Sequence, residues 1–176
     1  MTENPLSAVR NAPQKLGFLF VSLAVLVLDQ WTKWLIEVHL PLHASTPVLG
    51  GLVSFTHVRN TGVAFGLFAA QGLSSGSWLL TALGLGALAA VCIYFWRTPT
   101  KDRTLLAALA LVVGGALGNL LDRAATGAVT DFVDLFVGLH HWPAFNVADA
   151  AISIGIVLMA IDSLKRRHPA PEPAEA

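Results

Sequence analysis

The chain has 176 residues, 55% of them hydrophobic and only 12% charged, about half the charged share of an ordinary soluble domain. With a mean hydropathy of +0.64, that balance excludes a soluble globular protein and a disordered chain, and points to a single membrane domain. Eleven basic and eleven acidic residues cancel, leaving no basic excess for nucleic acid, and the single cysteine, Cys92, excludes an internal disulfide framework.

Four apolar runs reach the roughly 20 residues that a helix needs to cross a bilayer. The first, at about residues 16–36, is interrupted by Asp29 and Lys33. Arg10 and Lys15 precede it in the manner of a signal peptide, but it meets Asp29-Gln30-Trp31-Thr32-Lys33 instead of a small-residue cleavage site, so it reads as a retained span. An outward segment follows at about residues 37–76. It is too long for a bare connector. Its stretch at 48–67 is rich in β-branched and aromatic residues punctuated by glycine, which predicts a small β-layer. The second span, at about 77–96, carries no charge and ends in Tyr94, Phe95 and Trp96, residues suited to the headgroup level. The third runs from about 104 to 122, with Asp122-Arg123 closing it. A second outward segment, about 124–143, carries Asp131 and Asp134, and the fourth span, about 144–164, contains Asp149 and Asp162. The tail from 168 to 176 is rich in proline, alanine and glutamate and reads as disordered.

Basic residues set the direction. Eight flank the spans on one side (Arg10, Lys15, Arg97, Lys101, Arg103, Lys165, Arg166 and Arg167) and three on the other (Lys33, Arg59 and Arg123), which predicts that both termini are cytoplasmic. At 1.5 Å per residue, Asn119 and Asp29 then lie about 21–22 Å above the inner surface. Asp149 falls at the same level on the descending span, and Asp122 and Asn146 just above it. Gly115, Asn119 and Asp122 share one face of the third span, and Asn146, Asp149 and Ser153 are expected to share one face of the fourth. Gly114 and Gly118 form a GxxxG pair that would let a neighbouring helix approach closely.

Acids inside a membrane turn inward and find partners. Asp29 and Lys33 have the i, i+4 spacing of an ion pair, and Asp162 precedes Arg166 by the same interval, near the surface. Asp122 beside Arg123 is open to a structural pairing. Asp149 has no basic neighbour at helical spacing and is the hardest to explain structurally. Two carboxylates close enough to share a proton can serve as base and acid for peptide hydrolysis without a metal. Spacing alone leaves Asp131 and Asp134 equal as the partner of Asp149. Gly72-Leu73-Ser74-Ser75-Gly76 fits G-x-S-x-G but leads into a span, so it reads as a turn. The six histidines are scattered, with no H-E-x-x-H, so no metal or other cofactor is expected, and mid-span Cys92 reads as inert. An ion-coupled transporter subunit is the main rival reading, because intramembrane acids also form relays; a purely structural subunit is a third.

Five motifs occur in order: Asp29-Gln30-x-x-Lys33; Arg59-Asn60-Thr61-Gly62-Val63-Ala64-Phe65-Gly66; Gly114 to Arg123 (GGALGNLLDR); Val129-Thr130-Asp131-Phe132; and Phe145-Asn146-Val147-Ala148-Asp149. Together they resemble the lipoprotein signal peptidase (signal peptidase II) family, over about residues 16–164. The resemblance implies an all-α membrane protein of four transmembrane helices with a small extracytoplasmic β-rich cradle, set in the bacterial cytoplasmic (inner) membrane. It implies an aspartic endopeptidase with its active site near the outer leaflet, working as a monomer. Its substrate would be a prolipoprotein carrying diacylglyceryl on its cysteine, cut just before that cysteine. Asp131 and Asp149 match the catalytic pair. Asn60, Asn119, Asp122, Arg123 and Asn146 match residues that line or support the site, and Asp29 and Lys33 match a structural pair on the first span.

Overall fold

The computed structural model describes residues 5–62 and 75–167. Among these residues four helices, α1 (Pro5–His39), α2 (Ser75–Arg97), α3 (Arg103–Thr126) and α4 (Val147–Arg167), combine with four strands, β1 (Ser45–Leu49), β2 (Val53–Asn60), β3 (Val129–Val137) and β4 (His140–His141). All four helices are long and apolar enough to cross a membrane, over Gln14–His39, Leu79–Arg97, Arg103–Thr126 and Val147–Arg166. The protein is therefore a four-helix membrane protein with a small antiparallel sheet. Residues 63–67 of the anticipated β-layer, Gly72 to Ser74 of the turn motif and the tail from 168 lie outside the described residues.

α3 is the centre of the bundle. Of its spanning window 61% is buried, against 17%, 6% and 17% for α1, α2 and α4, so the other three present most of their apolar surface outward. Phe20, Leu23, Val27, Leu83, Ile154 and Val157 are exposed in this way, as lipid-facing residues must be. Without a hydrophobic force between helices in lipid, close packing of small residues takes over. Gly114 and Gly118 both face α1: a Cβ on Gly114 would lie 2.6 Å from the Ser22 carbonyl oxygen, and one on Gly118 would strike the Asp29 carboxylate. Ser22 uses the closeness to donate its hydroxyl to the Ala110 carbonyl at 2.7 Å. Gly115 lies against the Ala148 carbonyl of α4.

The helix ends follow their sequence. Proline at 41 and 99 halts α1 and α2 shortly after their last turns. α3 runs a turn beyond the apolar run and stops at Gly127, whose left-handed φ of 76° lets its N–H reach the Arg123 carbonyl at 2.9 Å. α4 starts at Val147, three residues later than the apolar run at 144. Asn146 caps it: its Oδ1 accepts the Asp149 N–H at 2.9 Å, while the Asn146 N–H donates to Asp149 Oδ2 at 3.2 Å, a reciprocal capping box.

The sheet order is β1-β2-β3-β4, antiparallel throughout. Half of it comes from the second outward segment, where no strand was expected. β2 and β3 pair in one register from Val53↔Leu135 to Phe55↔Val133 and in another from Val58↔Asp131 to Asn60↔Val129, so a bulge at residues 56–57 shifts the ladder by one. The first four residues of β3 are buried, and the rest are half-buried or, at Leu135 and Val137, exposed. Phe132 and Val133 both donate to the Phe145 carbonyl, at 3.0 and 2.8 Å, which straps the segment entering α4 onto the middle of β3.

Candidate active site

Two connected polar networks occupy the end of the bundle beneath the sheet. The first centres on Lys33, which is 3% exposed. Its ammonium contacts Asp29 Oδ2 at 2.7 Å and Asp122 Oδ2 at 2.8 Å, and donates to Asn119 Oδ1 at 3.1 Å. The expected Asp29–Lys33 pair is present and does more than neutralise itself. Asp29 Oδ1 also accepts the Ala148 N–H at 2.9 Å, so an acid of α1 helps satisfy the first turn of α4, where backbone donors have no helical partner. Gln30, which the sequence reading gave no role, donates to Asp122 Oδ1 at 2.8 Å. Asp122 turns toward Lys33 and Gln30 and not toward Arg123, because adjacent helical residues diverge by about 100°. Arg123 lies instead over its own helix, with Nη1 donating to the Asn119 carbonyl at 3.4 Å.

The second network joins Asp131 to Asp149 through asparagine amides. Asn146, wholly buried, donates Nδ2 to Asp131 Oδ1 at 2.7 Å while capping α4 at Asp149. Asn60 donates to the other oxygen of Asp131 at 3.0 Å, and its own Oδ1 is held by the Gly62 N–H at 2.8 Å. Asn119 donates Nδ2 to Asp149 Oδ1 at 2.7 Å, and its Oδ1 accepts from both Lys33 and Asn146. Asn119 is thus the junction of the two networks. The equal level of Asn119 and Asp149 holds, though Asp149 belongs to the first turn of α4. Its Oδ2 there accepts the Asn146 N–H, a backbone donor that the helix itself does not satisfy. Ser153 is exposed, correcting the expected Asn146–Asp149–Ser153 face: α4 packs through Ala148, Ala151 and Gly155, which turns residue 153 outward.

Asp131 is 2% exposed, and its carboxyl is pushed up from 3.8 to about 6. Burial is the main cause. The Asn60 hydrogen bond opposes it, the Asp149 charge adds to it, and Asn146 and Lys33 pull the other way. Asp134, three residues on, points elsewhere: both its oxygens sit 3.0 Å from Nδ1 of exposed His141. Two further contacts anchor the strand start. The Thr130 hydroxyl donates to Glu37 at 2.7 Å, and the Thr130 N–H reaches Asp122 Oδ2 at 3.3 Å. Glu37 carried no signal in the sequence, and Thr130 stood in a motif without a role, since their pairing spans 93 positions. The segment Val63 to Gly66 of the Asn60 motif lies outside the described residues.

Fold and site together define a small polytopic membrane protein with a carboxylate–amide centre at one end of its bundle. A sequence model of the family described as signal peptidase (SPase) II matches residues 21–165. The lipoprotein signal peptidase of Syntrophus aciditrophicus is 41% identical over 150 residues, covering 85% of this chain and 93% of that one. Its counterpart in Geobacter sulfurreducens is 43% identical over 151 residues, covering 86% and 93%. Among solved structures, a bacterial membrane enzyme determined by the in meso method superposes with a TM-score of 0.72 at 31% identity, over 85% of this chain and 93% of that one. The chain belongs to the signal peptidase II family and is a peptidase of the bacterial inner membrane. Nothing in these relatives supports the ion-coupled transport alternative.

Proposed function

We propose that the chain is an aspartic endopeptidase that removes the signal peptide of diacylglyceryl-modified prolipoproteins, cutting just before the lipidated cysteine. The observation that carries this reading is the shared grip of Asn146 on Asp131 and Asp149, which brings an acid of the sheet to an acid of the bundle. Asp131 is the member that holds the proton, since burial and its neighbour's charge both favour its neutral form. Asp149, in the first turn of α4, is the base. It takes a proton from water as the water oxygen attacks the scissile carbonyl carbon. Asp131 hydrogen-bonds the carbonyl oxygen and stabilises the charge that develops there. Asp149 then passes the proton it took from water to the amide nitrogen as the C–N bond breaks, leaving a carboxylic acid on the signal peptide and a free amine on the lipidated cysteine.

Asn60, Asn119 and Asn146 hold the pair in register, and Asp29, Lys33 and Asp122 hold the helices that carry it. The eight-to-three bias of basic residues supports cytoplasmic termini and a site near the outer leaflet. A diacylglyceryl chain then stays in the bilayer while its peptide reaches the acids. The test is cleavage by the purified chain of one precursor in two forms, with and without diacylglyceryl. Cleavage of the modified form alone supports the proposal; equal cleavage of both, or of neither, rejects it.

A further inference from the structure

At the end of the bundle away from the sheet, a cavity of about 670 Å³ opens between α2, the α2–α3 turn and α4. Its walls include Tyr94, Arg97, Asp102, Met159, Asp162 and Arg166. Arg97 and Arg166 are the last residues of the two apolar spans, so the opening lies at headgroup level. Tyr94 stands in its wall and is exposed, as is Trp96 in the same last turn of α2. The charges divide unequally. Arg166 binds Asp162 at 2.6 Å and Asp102 at 3.2 Å, so two carboxylates share one guanidinium and retain one negative charge. Arg97 has no carboxylate partner among the described residues and retains one positive charge. Leu105 and Met159 line the same cavity with apolar surface.

We propose that this cavity binds a zwitterionic phospholipid with a primary ammonium, of the phosphoethanolamine type, in the leaflet opposite the candidate active site. Its phosphate pairs with Arg97, its ammonium with the surplus charge of Asp102 and Asp162, and the start of an acyl chain lies on Leu105 and Met159. A phosphoglycerol headgroup offers no cation to the carboxylates, and a phosphocholine cation carries no N–H to donate. The Asp162–Arg166 contact, expected as a plain surface pair, becomes half of a binding site.

The test is lipid retention, measured by native mass spectrometry of the full chain released from nanodiscs of equal parts phosphoethanolamine, phosphocholine and phosphoglycerol lipid. Wild type should retain the phosphoethanolamine lipid in preference. Arg97→Gln should lose about fivefold of that retention, the weight of one basic residue at a membrane surface. Asp162→Asn leaves Asp102 paired with Arg166 and Arg97 in excess, so preference should pass to phosphoglycerol lipid. Both variants lie far from the acids of the candidate site and should still cleave precursor, which shows that they are folded. Soluble phosphoethanolamine, added as a competitor, separates a lipid site from a site for a small phosphate ester. Wild type without preference, wild type favouring phosphoglycerol, unchanged retention in Arg97→Gln, or full displacement by the soluble competitor would each overturn the proposal.

Discussion

Replacing Lys33 by methionine keeps the length and apolar stem of the side chain and removes one charge. In the folded protein that charge is nearly sealed from solvent, with side-chain exposure of 4%, and it serves Asp29, which is wholly buried, and Asp122, which is 11% exposed. Removing one partner of a buried ion pair costs about 3–5 kcal/mol, because the opposite charge is left uncompensated. For a chain of this size that corresponds to a fall in Tm on the order of 10 °C. Asn119 also loses its Lys33 donor, so its hold on Asp149 loosens and activity per folded molecule should fall as well. Circular dichroism during heating in detergent micelles measures the first effect, and precursor cleavage well below Tm measures the second. The Asp29→Asn/Lys33→Met double variant should be less destabilised than the two single changes added together, by about 0.5–3 kcal/mol, since Asp29 is then no longer a stranded charge and only Asp122 lacks its partner. Asn at 29 can still accept the Ala148 N–H. A loss below about 1 kcal/mol in Lys33→Met, with additive singles, would mean that these charges are solvated and the network is not as described.

Asn146→Ala removes both the α4 cap and the link to Asp131. It should cost about 1–2 kcal/mol for the cap and reduce cleavage far more than that loss of stability explains, seen by comparing unfolding with turnover. In the pH profile of kcat/KM, protonated Asp131 is required, so activity should fall as pH rises above about 6. Asn60→Ala, which deletes a hydrogen bond favouring the charged form, should move that falling limb to higher pH. Asp134→Asn should cleave normally, since its partner is His141 on the sheet; a large loss there would point to Asp134 in place of Asp131. Gly118→Ala drives a methyl group into Asp29 and should lower stability in the same scan that reports Lys33→Met.

The four spans were legible because each is a long apolar run, and no other element satisfies its backbone alone in lipid. The Asp29–Lys33 pair and the glycine approach of α3 to α1 were legible because helical spacing fixes them. Asp122 was harder: its sequence neighbour is Arg123, but its spatial partners, Lys33 and Gln30, lie on another helix. The sheet was half visible. The stretch at 48–67 is rich in β-branched and aromatic residues and carries glycine at the β1–β2 turn, whereas the start of β3 is buried on both faces and gives no alternation. The bulge in β2, which shifts the register that Asp131 falls into, leaves no local mark. The late start of α4 did leave one. Asn146-Val147-Ala148-Asp149 has the polar cap and third-position acid of a capping box, and reading it so would have put Asp149 in the first turn and turned Ser153 outward. The pairing of Asp131 with Asp149 rested on resemblance, because no spacing rule joins a strand to a helix cap across 18 positions.

Peptide cleavage by this chain requires those two acids to act together. The most direct test is single-turnover cleavage of a diacylglyceryl-modified precursor by Asp131→Asn and Asp149→Asn, each first shown by thermal unfolding to be folded. Both variants should bind the precursor and cut it at least about a hundredfold more slowly than wild type, as loss of a positioned acid or base requires. Near-normal cutting by either folded variant would contradict the account.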